Sequence, residues 1–325
     1  MKLTRIAVLV AVGALATAGC AKSDDASASD FPSDDIRMIV TYAAGGPTDL
    51  AGRAIAKSYE EKFGVSVVVE NVDGGSGAVG TAQLSAAKPD GLTIAMTTAS
   101  AASRVPLIED VGYTLDDLAP IGVGTVGPGM LFVPADSPYQ TAEEFFEAAK
   151  KSPGKITVGT AGAQAPQHVE FERMKSEYGI ELNLVPFKGE APAVNALLGG
   201  NVDAVFGSNA EVSLAQVEAG KTKTLAVGST ERLDYAPDAP TLVELGYDKL
   251  TYGNSMFILV APDGTPDEVV ATLEEGLQEA LADPEIAKVI GEERVPTEFI
   301  GAKAISDQMH TEVSDLEPIL TELFG

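Results

Sequence analysis

The chain has one cysteine, two histidines and no tryptophan in 325 residues. A single cysteine, Cys20, forms no intramolecular disulfide, so the fold must stand on its core. Two histidines, His168 and His310, are too few and too far apart in the chain for a zinc set. Aromatics make up 6% of the residues, too few for a sugar site of stacked rings. Positive charge is also scarce: 22 Lys and Arg stand against 48 Asp and Glu, a net charge of −26. Such a surface repels the phosphates of nucleic acid and of anionic lipid, so neither is expected as a partner. It also repels its own copies, and a monomer is expected. Apart from residues 6–16 there is no long apolar run, and 45% hydrophobic content points to a soluble, globular remainder.

That one apolar run is too short to span a bilayer. Lys2 and Arg5 precede it, and the small residues Thr17, Ala18 and Gly19 follow. This is the order of an export signal, expected over residues 1–19. Its removal takes away two positive charges and no acid, so −26 becomes −28. The segment ending at Cys20 resembles a bacterial lipoprotein cleavage site, with Thr17 where that pattern usually has Leu. Cys20 is therefore the expected lipidation site, placing the protein outside the cytoplasm on the outer face of the cell membrane. Residues 20–35 are small, polar and acidic, and read as a flexible tether.

The most informative stretch is residues 36–49, IRMIVTYAAGGPTD. An apolar, β-branched run reads as a buried strand. Gly45 and Gly46 free the backbone for a turn. Thr48 and Asp49 are natural helix N-caps, and Leu50, Ala54, Ile55, Tyr59 and Phe63 then recur at helical spacing up to Gly64. A strand, a glycine turn and a helix N-terminus together offer unpaired N–H groups to an anion.

Downstream, strand patterns at 65–70, 92–96, 130–133, 156–159, 182–187, 203–206, 225–228 and 254–260 alternate with helical ones. Thr141 with Glu144 forms a capping box, and Pro166 and Pro266 stand where helices begin. Alternation of this kind implies α/β architecture with largely parallel sheets. The glycine-rich stretch 122–129 and residues 250–254 read as two crossings between lobes. Lobe 1 is then residues 31–128 plus 252–325, and lobe 2 is residues 129–251.

Three patterns in the chain bear on catalysis. Gly75, Gly77 and Gly80 make a literal G-x-G-x-x-G after a strand, yet no acid ends the next strand to hold a ribose. A structural glycine loop is expected there, and no cofactor. Ser76 lies one residue short of a nucleophile elbow, and neither histidine is an evident base for it. His168, Glu170 and Glu172 on a helix point to different faces, so no metal is expected.

The motifs taken in order resemble the extracytoplasmic solute receptors of tripartite tricarboxylate transporters. Residues 31–33 with 36–40 match the opening strand, and residues 44–49 match the first ligand loop. Residues 67–71 with 74–80 match the second strand and its glycine loop. KPDGLT at 88–93, VPFKG at 185–189, LLGG at 197–200 and LVAPDGTP at 259–266 continue the pattern.

The resemblance implies a two-lobed, periplasmic-binding-protein-like (type II) fold with a cleft between the lobes. It implies a non-enzymatic receptor that captures a small carboxylate and passes it to large and small membrane subunits. A same-fold receptor signalling to a membrane sensor kinase, and an exported serine hydrolase using Ser76, are the alternatives. The implied contacts are Ala44, Gly45, Gly46, Thr48 and Asp49 on the first loop and Thr98 and Ser100 on the next. On lobe 2 they are Thr160, Gln164 and His168, then Lys188, Gly189 and Glu190, then Gly207, Ser208 and Asn209. Three places depart from the family. Glu190 stands where a small residue is usual, Gly207 where Asp is usual, and Gln164 and Pro166 where Ser is common. Glu190 would repel a multiply charged anion unless Lys188 pairs with it or its side chain turns to solvent.

Overall fold

The computed structural model describes residues 31–324. The expected export signal, Cys20 and the first part of the expected tether lie outside the described residues. The chain opens with β1 (Ile36–Val40), α1 (Pro47–Phe63), β2 (Val67–Asn71), α2 (Ala78–Ser85) and β3 (Thr93–Thr98). Two short helices, α3 (Ala99–Ser103) and α4 (Val105–Ile108), lead to β4 (Leu118–Gly127). A second unit holds β5 (Met130–Pro134), α5 (Ala142–Lys151), β6 (Thr157–Thr160), α6 (Pro166–Tyr178) and β7 (Asn183–Pro186). It continues through α7 (Glu190–Leu198), β8 (Ala204–Gly207), α8 (Glu211–Glu218) and β9 (Thr222–Val227). The chain then returns as β10 (Ser255–Pro262), α9 (Asp267–Ala282), α10 (Pro284–Ile290) and α11 (Ala302–Phe324).

These strands form two five-stranded sheets, ordered β2-β1-β3-β10-β4 and β7-β6-β8-β5-β9. The sheets are mixed rather than largely parallel. Strands made by βαβ units are parallel: β1 to β2 and β3, and β6 to β7 and β8. β10, which returns from the other sheet, runs antiparallel to β3 and β4, and β5, which has just left the first sheet, runs antiparallel to β8 and β9. A strand that arrives by crossing is not bound by the crossover rule of a βαβ unit.

Each sheet is covered on both faces, as the period-2 pattern of its strands requires. Met38 and Val40 of β1 pack with Ile55 and Tyr59 of α1 and Leu273 and Leu277 of α9. Ile39, one residue out of phase, packs with Leu84 of α2 and with Ile305 and Met309 of α11. In the second sheet Leu131 and Val133 meet Phe145, Phe146 and Phe171 on one face. Met130 and Phe132 meet Ala193 and Leu197 of α7 on the other. Leu50 departs from the expected apolar stripe of α1, with 47% of its surface exposed.

The stretch 122–129 is mostly not a crossing. It runs as β4 as far as Gly127, and only Pro128 and Gly129 separate the two sheets. Its glycines make room instead. A β-carbon at Gly122 would stand 2.9 Å from Leu277 Cδ2, and one at Gly124 2.9 Å from Met96 Cε. Among the described residues no helix is long and apolar enough to cross a membrane.

Candidate functional site

Five loops follow the C-terminal ends of β1, β3, β6, β7 and β8, the edge at which open α/β sheets offer helix N-termini and free amides. The first is residues 41–49. Gly46 is the N-cap of α1 and Pro47 is N1, so Thr48 and Asp49 lie inside the first turn rather than capping it. Pro fits N1 because the N–H it lacks would be unpaired there. No side chain caps this helix, so the amides of Thr48 and Asp49 have no intrahelical acceptor. Of the two glycines only Gly45 needs to be one, at φ +82°, whereas Gly46 has an ordinary φ of −81°.

Asp49 is buried and faces inward. It accepts from the Gly45 N–H, from Asn71 Nδ2 and from Arg53 Nε, each at 2.9 Å. Burial alone would raise its carboxyl. The bonds from Arg53, Gly45 and Asn71 together outweigh that and hold it below the usual carboxylate range. Asn71 also donates to Tyr42 O at 3.0 Å and accepts from Arg53 at 2.9 Å. The acid thus splints the turn from behind, and Ala44 and Gly45 lie exposed on its outer side.

Beside this turn, Thr98 is the N-cap of α3 and accepts from Ala101 N at 3.0 Å. Ser100 lies in the first turn of α3, half-buried. Tyr42 Oη donates to Ser76 O at 2.8 Å and lies 3.0 Å from Thr98 Oγ1, tying the glycine loop to the turn. Buried Thr41, Thr97 and Thr81 continue the chain at 3.1 and 3.0 Å. The glycines of residues 74–80 serve this packing. A β-carbon at Gly80 would stand 2.7 Å from Val72 O and one at Gly77 3.1 Å from Thr41 Oγ1.

On the second sheet, Thr160 and His168 are buried and bonded to each other, with Oγ1 2.8 Å from Nδ1. Burial pushes the His168 pKa below its ordinary value, toward a neutral ring. His310 bonds Ser306 O at 2.8 Å and Asp116 Oδ1 at 3.1 Å on the surface. Gln164 donates to Glu109 Oε1 of the first lobe at 3.0 Å. Asn209, also buried, donates to Tyr235 Oη at 3.2 Å and to Glu293 O of the first lobe at 3.1 Å. These loops therefore face the other lobe. Among the described residues no group of three or more His, Cys, Asp or Glu is placed to hold a metal ion.

Glu190 corrects the sequence reading. It forms no ion pair with Lys188, which is exposed, and it does not turn to solvent. Gly189, at φ +108°, is the N-cap of α7, and Glu190 is N1. Its Oε1 accepts from Ser208 N–H at 3.0 Å and from Ser213 Oγ at 2.7 Å. A β-carbon at buried Gly207 would stand 2.7 Å from Glu190 Cδ and closer still to Oε1. The carboxyl fills the space that any side chain at position 207 would need. Burial raises its pKa, and the two hydrogen bonds only partly offset this.

Arg53, Asn71 and Tyr42 in the first lobe, and Ser213 in the second, were not singled out from sequence. Only Arg53 had a local signal, four residues after Asp49 on one helix face. Behind the site, the connection 250–254 is gripped from both lobes. Glu170 Oε1 accepts from the N–H groups of Tyr252 and Gly253, at 2.5 and 3.1 Å. Arg173 donates to Glu170 and to Lys249 O, each at 2.9 Å, and lies over the Tyr252 ring. From the first lobe, Arg104 donates to Tyr252 O at 2.9 Å and pairs with Glu312 of α11.

Residues 51–322 match the family described as the tripartite tricarboxylate transporter family receptor. A Cupriavidus necator protein, named UPF0065 protein in gbd 5' region, is 33% identical over 290 residues, 87% of this chain and 84% of that one. A TctC solute-binding protein from Polaromonas, solved with no ligand, superposes at a TM-score of 0.80 with 30% identity, covering 90% of this chain and 99% of its own. An adipate-bound protein of R. palustris superposes at 0.72 with 26% identity, covering 90% and 98%.

Proposed function

Because the chain belongs to the family of tripartite tricarboxylate transporter receptors, we propose that it captures a small carboxylate outside the cytoplasm and hands it to a membrane transporter. The observation that carries this reading is the turn after β1. It presents the uncapped amides of Thr48 and Asp49 at a helix N-terminus, while Asp49 itself is drawn back by Arg53 and Asn71. Free N–H groups at the positive end of a helix suit a carboxylate, and withdrawing the local acid removes the charge that would oppose it. The adipate bound by the R. palustris relative agrees in chemical class.

The ligand then lies between the lobes, against residues 43–49 and 97–100 on one side and 159–168, 187–190 and 206–209 on the other. Lobe 1 comprises residues 31–128 and 252–325, and lobe 2 residues 129–251. Ligand favours the closed arrangement by touching both lobes at once, and the closed form is what the membrane subunits accept. A lipid on Cys20 keeps the receptor at the membrane face, and Cys20→Ser releases it from membranes. A thermal-shift screen of mono-, di- and tricarboxylates tests the binding reading, since a ligand of the folded state raises Tm by mass action. At least one carboxylate raises Tm in a saturable way. A screen in which none does contradicts the reading.

A further inference from the structure

The two lobes treat the acids at their strand ends in opposite ways. Asp49 has an arginine, Arg53, bonded to it. Glu190 has none: its partners are one backbone amide and one serine hydroxyl, and among the described residues no cation pairs with it. Both of those bonds go to Oε1, and among the described residues Oε2 accepts from no donor. Glu190 is only partly buried, so this oxygen is not sealed off. The carboxyl lies against Gly207, two residues before Asn209, whose side chain reaches across to Glu293 O of the first lobe. One carboxylate oxygen is therefore left free, beside the place where the lobes meet.

A carboxylate held out of water without a cation is costly, and the cost falls when a donor or a positive charge arrives. We propose that the ligand supplies that group, and that Glu190 is the specificity-determining residue of the site. The ligand is then a carboxylate whose far end carries an ammonium or another strong hydrogen-bond donor, not a second carboxylate. Its carboxylate goes to the α1 turn and its donor to Glu190 Oε2. This rests on the carboxylate-binding reading above. Gly207 is part of the device, because any side chain there would displace the Glu190 carboxyl. Like charges brought together in a partly dry cleft repel, so the same carboxyl that welcomes an ammonium rejects a dicarboxylate.

The test uses three matched unbranched series of four to six carbons: ω-amino acids, dicarboxylates and monocarboxylates. Each is titrated calorimetrically into the wild-type protein, Glu190→Gln and Glu190→Asp. In the wild type an ω-amino acid binds at least tenfold tighter than the dicarboxylate of equal length. Glu190→Gln removes at least tenfold of that ratio, whereas Glu190→Asp, which keeps the charge, keeps the order of preference. Circular dichroism of both variants accompanies the titrations, and the Asp variant alone decides the order if the Gln variant does not fold. A wild-type preference for the dicarboxylate, or a ratio unmoved by Glu190→Gln, overturns the assignment. So does a screen that finds another carboxylate while all three series fail to bind. A screen in which no carboxylate of any kind binds removes the underlying reading instead.

Discussion

The strand-end loops of the two lobes share a plan and differ in how they use an acid. Both place loops at the C-terminal ends of parallel strands, and both carry an acid in the first turn of a helix, buried Asp49 and partly buried Glu190. In lobe 1, Asp49 is bonded by Arg53, Asn71 and the Gly45 amide, and its pKa is held low. In lobe 2, Glu190 is bonded by Ser208 and Ser213 without a cation, and its pKa is raised by burial. An acid bonded on every side by its own protein is scaffold. An acid given half its partners is a group waiting for one.

The largest expected effect comes from separating an acid from its cation where both are buried. Glu170 and Arg173 are such a pair. Glu170→Ala leaves the Arg173 charge and the amides of Tyr252 and Gly253 without their acceptor, and should cost about 3–5 kcal/mol in urea unfolding. Asp49→Ala should cost less, about 2–3 kcal/mol, because half-exposed Arg53 can turn to water. A loss near zero for Asp49→Ala would mean that this acid is no more a scaffold than Glu190.

The glycines of the first turn separate next. Gly45→Val forces a β-branched residue to φ +82° and should cost about 1–2 kcal/mol, although its β-carbon meets nothing within 4 Å. Gly46→Val starts from φ −81° and a β-carbon 3.4 Å from Ala43 O, so its effect on stability should be smaller. Equal losses at the two positions would contradict the assignment of the turn.

Smallest, and opposite in sign, is Glu190→Gln. A carboxyl with a raised folded pKa contributes stability below its unfolded pKa and loses it as pH rises through the folded value. Wild-type stability should therefore suffer from Glu190 at neutral pH, and Glu190→Gln should match or exceed it there by up to about 1 kcal/mol. The gap should close as the pH falls into the carboxylate range. Asp49 behaves the other way. Its stabilising contribution is present above the unfolded pKa and is lost as pH falls through the lowered folded value. Thermal melts of wild type, Glu190→Gln and Asp49→Asn from pH 7 to pH 3.5 distinguish the two slopes.

Much of this plan is legible in the sequence where the signal is local. The apolar runs that became β1, β5 and β10, the Gly64 end of α1 and the Thr141 cap of α5 all rest on residues a few positions apart. β4 was hidden because its glycines, which read as a linker, are there to admit Leu277 and Met96 from distant elements. The mixed sheets were hidden because strand direction after a crossing depends on where the chain returns, not on any residue pattern. The start of α1 moved because Pro47 takes N1 and pushes Thr48 and Asp49 into the turn. At the candidate site, the turn residues can be grouped from their local pattern, but their bonds are not readable in the sequence. Asp49 depends on Asn71, and Glu190 on Ser213 and the bare Gly207, partners 22, 23 and 17 residues away that only folding brings together.

Amide hydrogen exchange, followed with and without the carboxylate that the thermal screen identifies, tests most directly whether both edges hold one ligand. Exchange should slow together in residues 43–50 and 97–100 of lobe 1 and in 159–168, 187–190 and 206–209 of lobe 2, with the outer helices unchanged. Protection confined to one lobe, or spread evenly over the whole protein, would contradict a ligand held between the two strand edges.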